Sequence, residues 1–470
     1  MNRPNRLQSL TELMADLEAG RISSVEATEY CLRRAEAWQP RINAFIRVDG
    51  DAALDAARAA DAARAKGDKR PLLGAPLAHK DMFMRRGDRA SGGSALLGDI
   101  VGTDDATVIR RLAEAGAIET GRLNMSEFAA GPTGHNAHFG HARNPWNPDH
   151  ITGGSSSGSG AATAAGCVFG ALGSDTGGSI RLPAIMCGLY GLKPTYGRVS
   201  RYGAMPRAWS LDTVGPLTRS AADAALILAA VAGHDPKDPS TSRRAAPDWR
   251  RLIDRPMQGL RLGRAVGEPF GPVDPETAAA HAAAIEVFRD LGCEIVDVAL
   301  PDCQPLYSAA DAISKSEAAA LHGPWMAERP KDYSLHVYSR TESGFAVPAT
   351  VYLAAQAARG NVLRAFCGQV FADTDAVLLP SITTPVPSID ETDEGQPGLI
   401  YEMVAGITRA TRPFNYLGLP GLAVPLGLSS KGLPLSCQLV ARPFAERTLL
   451  SLGHAHEQAT DFAGAAPPGD

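Results

Sequence analysis

Residues 151–166 read ITGGSSSGSGAATAAG and have an unusual composition. Every residue from Gly153 to Gly160 is a glycine or a serine, and an alanine-rich run follows directly. A segment of this composition is by default a flexible linker. It could also be a loop that binds phosphate or a part of a catalytic site. The residues around it decide among the three interpretations.

A second cluster of glycine and serine, GSDTGGSIRLP, follows at residues 173–183. The residues between the clusters, GAATAAGCVFGALGS, predict a short helix of small residues and then a buried strand. Small side chains would let the two loops approach each other closely. Because a linker is not followed by a tightly packed helix and strand, we expect both clusters to belong to one folded site.

The two clusters do not have the pattern of a phosphate-binding loop. No G-x-x-x-x-G-K-[ST] occurs, and neither cluster supplies G-x-G-x-x-G between a strand and a helix with an acidic residue about 20 positions on. The second cluster instead places Ser179 after a TGG turn, at the start of a predicted helix. The backbone N–H groups of Thr176, Gly177 and Gly178 can point into such a turn, since two of the three residues lack a Cβ. Donors beside a serine hydroxyl suit the oxyanion of an acyl-transfer reaction.

A serine nucleophile needs a base, and the sequence offers two kinds. His135, His138 and His141 lie near the loop at three-residue spacing, but no carboxylate accompanies them, so we expect no metal site there. Lys80 follows an apolar strand in PLAHKDMF and has Asp81 beside it. A lone lysine is usually a solvated surface charge. Residue chemistry alone therefore leaves open whether Lys80 is a base.

The chain as a whole predicts a folded protein of the cytoplasm. Of its 470 residues 44% are apolar and 21% are charged, and a net charge of −5 without a basic block argues against nucleic acid or an anionic membrane as a partner. The first residues lack the apolar core of a signal peptide, and the most apolar stretches, 167–173 and 224–233, are too short to cross a bilayer. Seven scattered cysteines without a C-x-x-C pair predict reduced thiols rather than a zinc site or a disulfide framework.

Helical and strand-like patterns alternate along the chain, which predicts an α/β fold with helices covering a sheet. The segment 233–247 is the best candidate for a linker, although a loop on one large domain explains it equally well. We expect one domain over residues 1–470. Within it, residues 1–68 form an N-terminal helical segment, residues 69–232 the catalytic core, and residues 233–470 an α/β part that completes the sheet and the substrate pocket.

Six motifs of the sequence resemble, in their order and spacing, the signature of the amidase signature hydrolases. They are GAPLAHKD, NMSEF, ARNPWNP, GGSSSGSG, GSDTGGSIRLPA and GLKPTYGRVSRYG. The resemblance is dense from about residue 70 to 220 and thinner from 10 to 460. It implies a single domain of α/β class, with a central mixed β-sheet covered by helices on both faces. It also implies amide hydrolysis through an acyl-enzyme, without a cofactor or a metal.

The resemblance assigns roles to Lys80, to Ala129 and to several residues of the two clusters. Ser179 is the nucleophile, Ser155 the bridging serine and Lys80 the base, which burial should keep neutral by lowering its pKa. The peptide bond between Gly154 and Ser155 is expected to be cis. The remaining expected site residues are the oxyanion donors Thr176, Gly177 and Gly178, the supporting residues Gly154, Asp175 and Arg181, and Ala129 in the acyl pocket.

Two functional classes fit this family. One is a free-standing amidase that hydrolyses a linear amide of a small molecule, for which the resemblance allows a homodimer. The other is the amidase subunit of a glutamyl-tRNA(Gln) or aspartyl-tRNA(Asn) amidotransferase, which SLDTVGPLTRS (210–220) resembles. By hand alignment, Thr408 replaces the acidic residue that holds the amino group of glutamine in that subunit. The stretch SRTESGFAVPATVY (339–352) shows no obvious counterpart of its carboxylate-binding arginine. Both differences favour the free-standing amidase, with a pocket shaped by residues 300–350 and 390–412.

Overall fold

The fold is seen in a computed structural model that describes residues 7–98, 100–392, 397–462 and 465–469. The first six residues of the expected N-terminal segment and residues 393–396 of the expected pocket segment lie outside these ranges. The expected fold class is confirmed, since one mixed sheet flanked by helices runs through the described part of the chain.

Eleven strands form this sheet within the described residues. They are β1 (Phe45–Val48), β2 (Pro76–Lys80), β3 (Ile118–Leu123), β4 (Ala171–Asp175), β5 (Tyr190–Lys193), β6 (Thr213–Thr218), β7 (Arg261–Val266), β8 (Glu294–Ala299), β9 (Ala376–Pro380), β10 (Gly421–Leu428) and β11 (Pro434–Ala441). The helices of the described ranges are α1 (Leu10–Glu18), α2 (Ser24–Ile42), α3 (Gly50–Ala65), α4 (Thr107–Glu114), α5 (Ser157–Ala164), α6 (Arg181–Cys187), α7 (Ala221–Val231), α8 (Trp249–Leu252), α9 (Pro275–Asp290), α10 (Gln304–Glu328), α11 (Leu335–Glu342), α12 (Ala349–Val370), α13 (Pro397–Thr408), α14 (Arg412–Tyr416) and α15 (Glu446–Ala459).

The two halves of the chain occupy two halves of the sheet. The strand order is β1-β3-β2-β4-β6-β5-β10-β11-β9-β7-β8, so the first six strands lie together and the last five lie together. The halves join where β5 pairs antiparallel with β10, Lys193 opposite Gly421. Because these edges are hydrogen-bonded, the two halves share one continuous sheet.

The candidate linker at residues 233–247 is a loop fastened to this sheet assembly. The side chain of Asp235 is buried and accepts hydrogen bonds from Thr107 Oγ1 at 2.6 Å and Ser200 Oγ at 2.5 Å. Asp238, also buried, accepts from the backbone N–H of Arg201 at 2.8 Å. The loop interpretation therefore describes this segment better than a free linker does. The boundaries expected at residues 68 and 232 stay a prediction.

The small residues of α5 are needed for close packing. A Cβ on Gly158 would lie 2.3 Å from the carbonyl oxygen of Ala44, and one on Gly160 would lie 2.9 Å from Pro183 Cβ. Any larger side chain would push these neighbours away. The glycine and serine run of residues 153–160 is therefore fully buried and closely packed, as the interpretation as a folded site requires.

The catalytic candidates come from adjacent parallel strands. Strands β2 and β4 pair in parallel through Ala78 opposite Ala171 and His79 opposite Leu172. The carboxyl ends of parallel strands lie at the same edge of a sheet, and there β2 ends at Lys80 and β4 ends at Asp175. This topology brings the lysine motif and the second glycine and serine cluster to one place.

None of the seven cysteines, all within the described ranges, forms a disulfide; six are buried and Cys367 is half-buried. Among the helices of the described residues, none has both the length and the apolar content required to cross a bilayer.

Candidate active site

Lys80 lies at the centre of the site. Its side chain is fully buried, and its Nζ donates to Ser155 Oγ at 2.7 Å and to Ser174 Oγ at 2.9 Å. Burial lowers the pKa of Lys80 to about 7, although the carboxylates of Asp212 and Asp175 act in the opposite direction. The expected neutralising effect of burial is thus present, and a substantial fraction of this lysine is uncharged at neutral pH.

The loop of the first cluster presents Ser155 to the lysine. The peptide bond between Gly154 and Ser155 is cis, as the resemblance implies. The Ser155 side chain is fully buried, and its carbonyl oxygen accepts a hydrogen bond from the N–H of Ser126 at 3.1 Å. The preceding Gly153 has a φ of +74°, which favours glycine. The loop is therefore held in one conformation, with the Ser155 hydroxyl against Lys80.

Asp175 folds residues 176–180 around its own carboxylate; this segment is called the nucleophile loop below, after the role expected for Ser179. Its Oδ1 accepts the N–H of Gly178 at 2.7 Å, and its Oδ2 accepts the N–H of Ile180 at 3.2 Å. Burial raises the pKa of Asp175, but the adjacent Arg181 guanidinium outweighs this effect and holds that pKa well below its usual range. An ionised carboxylate thus fixes the backbone on both sides of Ser179.

Arg181 ties this loop to the second half of the sheet. Its Nε donates to Asp175 Oδ2 at 3.0 Å, and its other nitrogens donate to Asn415 Oδ1 at 2.7 Å and Gln438 Oε1 at 3.1 Å. Asn415 also donates to Asp175 Oδ1 at 2.8 Å. All four side chains are buried. Sequence reasoning found Asp175 and Arg181 but missed Asn415 and Gln438, which lie more than 200 residues further along the chain.

The expected oxyanion donors need one correction. The N–H of Gly178 donates to Asp175, so it is not available to an oxyanion in this structure. By contrast, the backbone N–H groups of Thr176, Gly177 and Ser179 donate to no other residue of the described ranges. The glycine pattern indicated three consecutive donors because it did not reveal the side chain that occupies one of them.

Asp212 binds Thr176, the first residue of the turn whose Gly178 is bound by Asp175. Its Oδ1 accepts from Thr176 Oγ1 at 2.5 Å, and its Oδ2 accepts the N–H groups of Arg207 at 2.9 Å and Ala208 at 3.0 Å. Burial raises the pKa of Asp212, while these hydrogen bonds act to lower it. Sequence reasoning missed Asp212, although it stands in the SLDTVGPLTRS motif.

Ser179 opens into a narrow cleft. The walls come from the nucleophile loop, the loop at residues 129–132, the loop before β6 and three segments of the second half of the chain. The cleft is lined by Ala129, Gly131, Pro132, Thr176, Gly177, Ser179, Arg207, Ser314, Arg340, Thr408 and Arg412. Ala129, for which a pocket position is predicted, thus lines the same cleft as Ser179. The structure also places residues of both expected pocket segments, 300–350 and 390–412, in the lining.

Arg340 belongs to the stretch SRTESGFAVPATVY (339–352), in which the sequence shows no obvious counterpart of a carboxylate-binding arginine. The residue is buried in the lining of the cleft, and its Nη1 donates to the carbonyl oxygen of Ala130. Thr408 lies in the same lining. The cleft lining thus contains an arginine from this stretch, and a threonine at the position where an acidic residue would hold an amino group.

The three loop histidines have separate hydrogen-bond partners. His135 Nε2 lies 2.9 Å from Thr392 Oγ1, His138 Nε2 lies 2.8 Å from Glu127 Oε1, and the His141 ring accepts the N–H of Asn136 at 3.0 Å. No group of three or more His, Cys, Asp or Glu side chains among the described residues has the geometry of a metal site. These histidines support the loop in this structure.

Comparisons with known proteins cover nearly the whole chain. A protein-family model described as Amidase matches residues 26–450. One subunit of the glutamyl-tRNA(Gln) amidotransferase from Azotobacter vinelandii is 40% identical over 98% of this chain and 99% of its own length. The corresponding subunit from Geobacter metallireducens is also 40% identical, over 96% of this chain and 97% of its own length.

Solved structures with the same fold include several amidases. One of these structures is a chain from a vestigial protein complex that is described as revealing the evolutionary origins of an s-triazine catabolic enzyme. It is 34% identical with a TM-score of 0.89, and the match covers 98% of this chain and 100% of that chain. A crystal structure of an amidase is 33% identical with a TM-score of 0.85 and coverage of 97% and 100%. A peptide amidase in complex with the inhibitor chymostatin is 28% identical with a TM-score of 0.84 and coverage of 98% and 99%.

Proposed function

Since the chain belongs to the amidase signature family, we propose that it hydrolyses the carbon–nitrogen bond of a small linear carboxamide through Lys80, Ser155 and Ser179. The observation that carries this proposal is the contact between Lys80 and Ser155. A fully buried lysine with a pKa near 7, hydrogen-bonded to a buried serine hydroxyl, is equipped to take up a proton at neutral pH.

The first half-reaction forms an acyl-enzyme. Neutral Lys80 accepts the proton of Ser155, Ser155 accepts the proton of Ser179, and Ser179 Oγ bonds to the carbonyl carbon. The negative charge that develops on the carbonyl oxygen is stabilised by the free N–H groups of Thr176, Gly177 and Ser179. The carbon–nitrogen bond then breaks as the proton returns through Ser155 to the leaving nitrogen.

The second half-reaction releases the acid. Water takes the position of the leaving amine, gives its proton through Ser155 to Lys80 and attacks the acyl carbon. The bond to Ser179 Oγ breaks, and the hydroxyl is protonated again by the same route. Each proton that Lys80 accepts is returned within the cycle.

A second candidate function is glutamine hydrolysis within a tRNA-dependent amidotransferase. Two relatives with 40% identity over nearly the full chain are subunits of such an enzyme, and they support this candidate more directly than a small-molecule amidase. Arg340 in the cleft agrees with a substrate that carries a carboxylate. The threonine at position 408 favours the first candidate, because an α-ammonium group finds no carboxylate there. Both candidates would place the enzyme in the cytoplasm.

The two candidates are separated by expressing the chain alone and assaying ammonia release. We expect a panel of small carboxamides to be hydrolysed without partner subunits and glutamine to be a poor substrate. Glutaminase activity that arises only when partner subunits are added would replace the first candidate with the second. Size-exclusion chromatography with light scattering on the same preparation tests the homodimer.

A further inference from the structure

Two arginines that the catalytic scheme does not use enter the cleft beside Ser179. Arg207 lies on the loop before β6, and Arg412 is the first residue of α14. Both are buried, with 3% and 5% of their surfaces exposed. Buried guanidinium groups are retained where they bind an anion or pair with a carboxylate, so their partners decide what they do.

Arg207 has unused hydrogen-bonding capacity. Its backbone N–H is bound by Asp212, but its buried Nη1 has no hydrogen-bond partner in the described part of the chain. Burial lowers the pKa of Arg207 to about 9, and the cation of Arg340 acts in the same direction. A buried donor without a partner is costly. An anionic group of a substrate in the cleft would supply the missing acceptor.

Arg412 is held in place beside the nucleophile loop. Its Nη1 donates to Asp311 Oδ1 at 2.5 Å and to the Tyr307 hydroxyl at 3.1 Å. Its guanidinium lies over the Tyr307 ring, 4.7 Å from the centroid. A Cβ added to Gly177 would lie 3.1 Å from Arg412 Nε, so the guanidinium is next to the turn that supplies oxyanion donors.

Positive charge exceeds negative charge around this part of the cleft. The cations whose charges act on Arg207 are Arg340 and Arg412, and the carboxylates that act on it are Asp212 and Asp311. Asp311 is shared between Arg412 and Lys315, at 2.5 and 2.7 Å. Asp212 receives its hydrogen bonds from Thr176 and two backbone groups, so it does not satisfy the Arg207 guanidinium.

Thr408 lies next to Tyr307, the partner of Arg412. Its Oγ1 lies 3.3 Å from the Tyr307 hydroxyl, which also accepts from Arg412. The position where an acid would hold an ammonium group therefore carries a threonine with an arginine nearby. We propose that Arg207 and Arg412 form an anion subsite that selects amides whose acyl part carries a carboxylate and no α-ammonium group. This inference rests on the proposed amidase function and narrows its substrate class.

The first test compares matched substrates on the wild-type enzyme. Malonamate and succinamate carry a carboxylate, and their neutral isosteres carry a methyl ketone in its place. We expect kcat/KM to be at least about 100-fold higher for one of the anionic amides than for its isostere, and higher than for glutamine. Equal rates for the members of each pair would overturn the subsite and leave the proposed amidase function intact. A preference for glutamine would overturn the subsite and would also contradict the expectation that glutamine is a poor substrate.

The second test removes each guanidinium. In Arg207→Gln and Arg412→Gln, kcat/KM for the anionic amide should fall at least about 30-fold further than kcat/KM for its neutral isostere. Arg409→Gln is the matched control, since Arg409 is exposed on the same segment and lies outside the cleft lining. Equal losses on both substrates would show that the arginines serve only the folding of the loop. Arg207→Lys and Arg412→Lys keep the charge and should restore part of the preference.

A binding measurement distinguishes a failure of the anion subsite from a failure of the proposed amidase function. Malonate and succinate are titrated into Ser179→Ala by calorimetry, and again into the same protein with Arg207→Gln or Arg412→Gln. We expect one of the dicarboxylates to bind and each added substitution to weaken its binding at least about tenfold. This result without any amidase activity in the wild type would refute the function and keep the subsite. Binding of neither dicarboxylate, or binding that the substitutions do not weaken, would refute the subsite.

Discussion

The Nζ of Lys80 and the Oγ of Ser155 are 2.7 Å apart, and both side chains are fully buried. No water-exposed surface solvates the ammonium form of this lysine. Its pKa therefore lies near 7 rather than at the usual 10.5, and the lysine can act as a base where most lysines cannot.

The pH dependence of the reaction should report this lysine. Only neutral Lys80 accepts a proton, so kcat/KM should rise about tenfold per pH unit on the acid side, bend near pH 7 and stay level above it. A pH profile between 5.5 and 9 with a neutral amide measures this. Lys193 is a matched control, since burial lowers its pKa to about 7 as well. The bend should persist in Lys193→Met, and a flat profile in the wild type would contradict the role of Lys80.

Removing the base or the bridging serine should reduce the rate without unfolding the protein. We expect Lys80→Ala and Ser155→Ala each to lower kcat about 10³-fold or more, because positioned proton transfer contributes about 10²–10⁴ and the members of a triad act as a unit. The kcat of the double variant should be at most about tenfold lower than the kcat of the slower single variant. Additive losses in the double variant would indicate that the two residues act separately.

Asp175 should matter for stability as well as for activity. In Asp175→Asn the buried Arg181 loses its ion pair, and breaking a buried pair in this way costs about 3–5 kcal/mol. Urea denaturation of both proteins measures the free energy of unfolding. Asp55→Asn is the control, because the exposed pair of Asp55 with Arg58 contributes about 0–1 kcal/mol. Similar changes in the two variants would mean that Asp175 does not stabilise the loop.

The two glycines before Ser179 should respond differently to a methyl group. Gly178 has a φ of +133°, and a Cβ there would lie 2.5 Å from Thr411 Oγ1. At Gly177 the nearest atom is Arg412 Nε, at 3.1 Å. We expect Gly178→Ala to lower the free energy of unfolding by about 2 kcal/mol or more, and Gly177→Ala by less. Thermal and urea denaturation of the pair decides this, and a Gly178→Ala protein as stable as the wild type would contradict the described loop.

Local structure was largely predictable from the sequence. Ser23 stands three positions before Glu26, the spacing of a capping box, and a full capping box joins the two residues at the start of α2. The alanine-rich residues 51–65 favour a helix and lie in α3, and Gly67 follows it with a φ of +89°. Short-range signals of this kind depend on residues within one turn of each other, so they can be recognised without knowing the fold.

The cleft was less predictable, because its residues meet only through the fold. Ser174 stands within a recognised motif, yet nothing in the sequence indicates that its hydroxyl accepts from Lys80. The N–H of Gly178 is taken by a side chain three residues earlier, which the glycine pattern does not reveal. Arg207 and Arg412 come from segments about two hundred residues apart. They line the same cleft because the pairing of β5 with β10 joins the two halves of the sheet.

The central claim is that Ser179 is the nucleophile. The most direct measurement is the kcat/KM of purified Ser179→Ala on the best amide substrate of the wild type, with circular dichroism to verify the fold. If Ser179 is the nucleophile, kcat/KM should fall about 10⁵-fold or more in a fully folded protein. Hydrolysis at a rate near that of the wild type would contradict it.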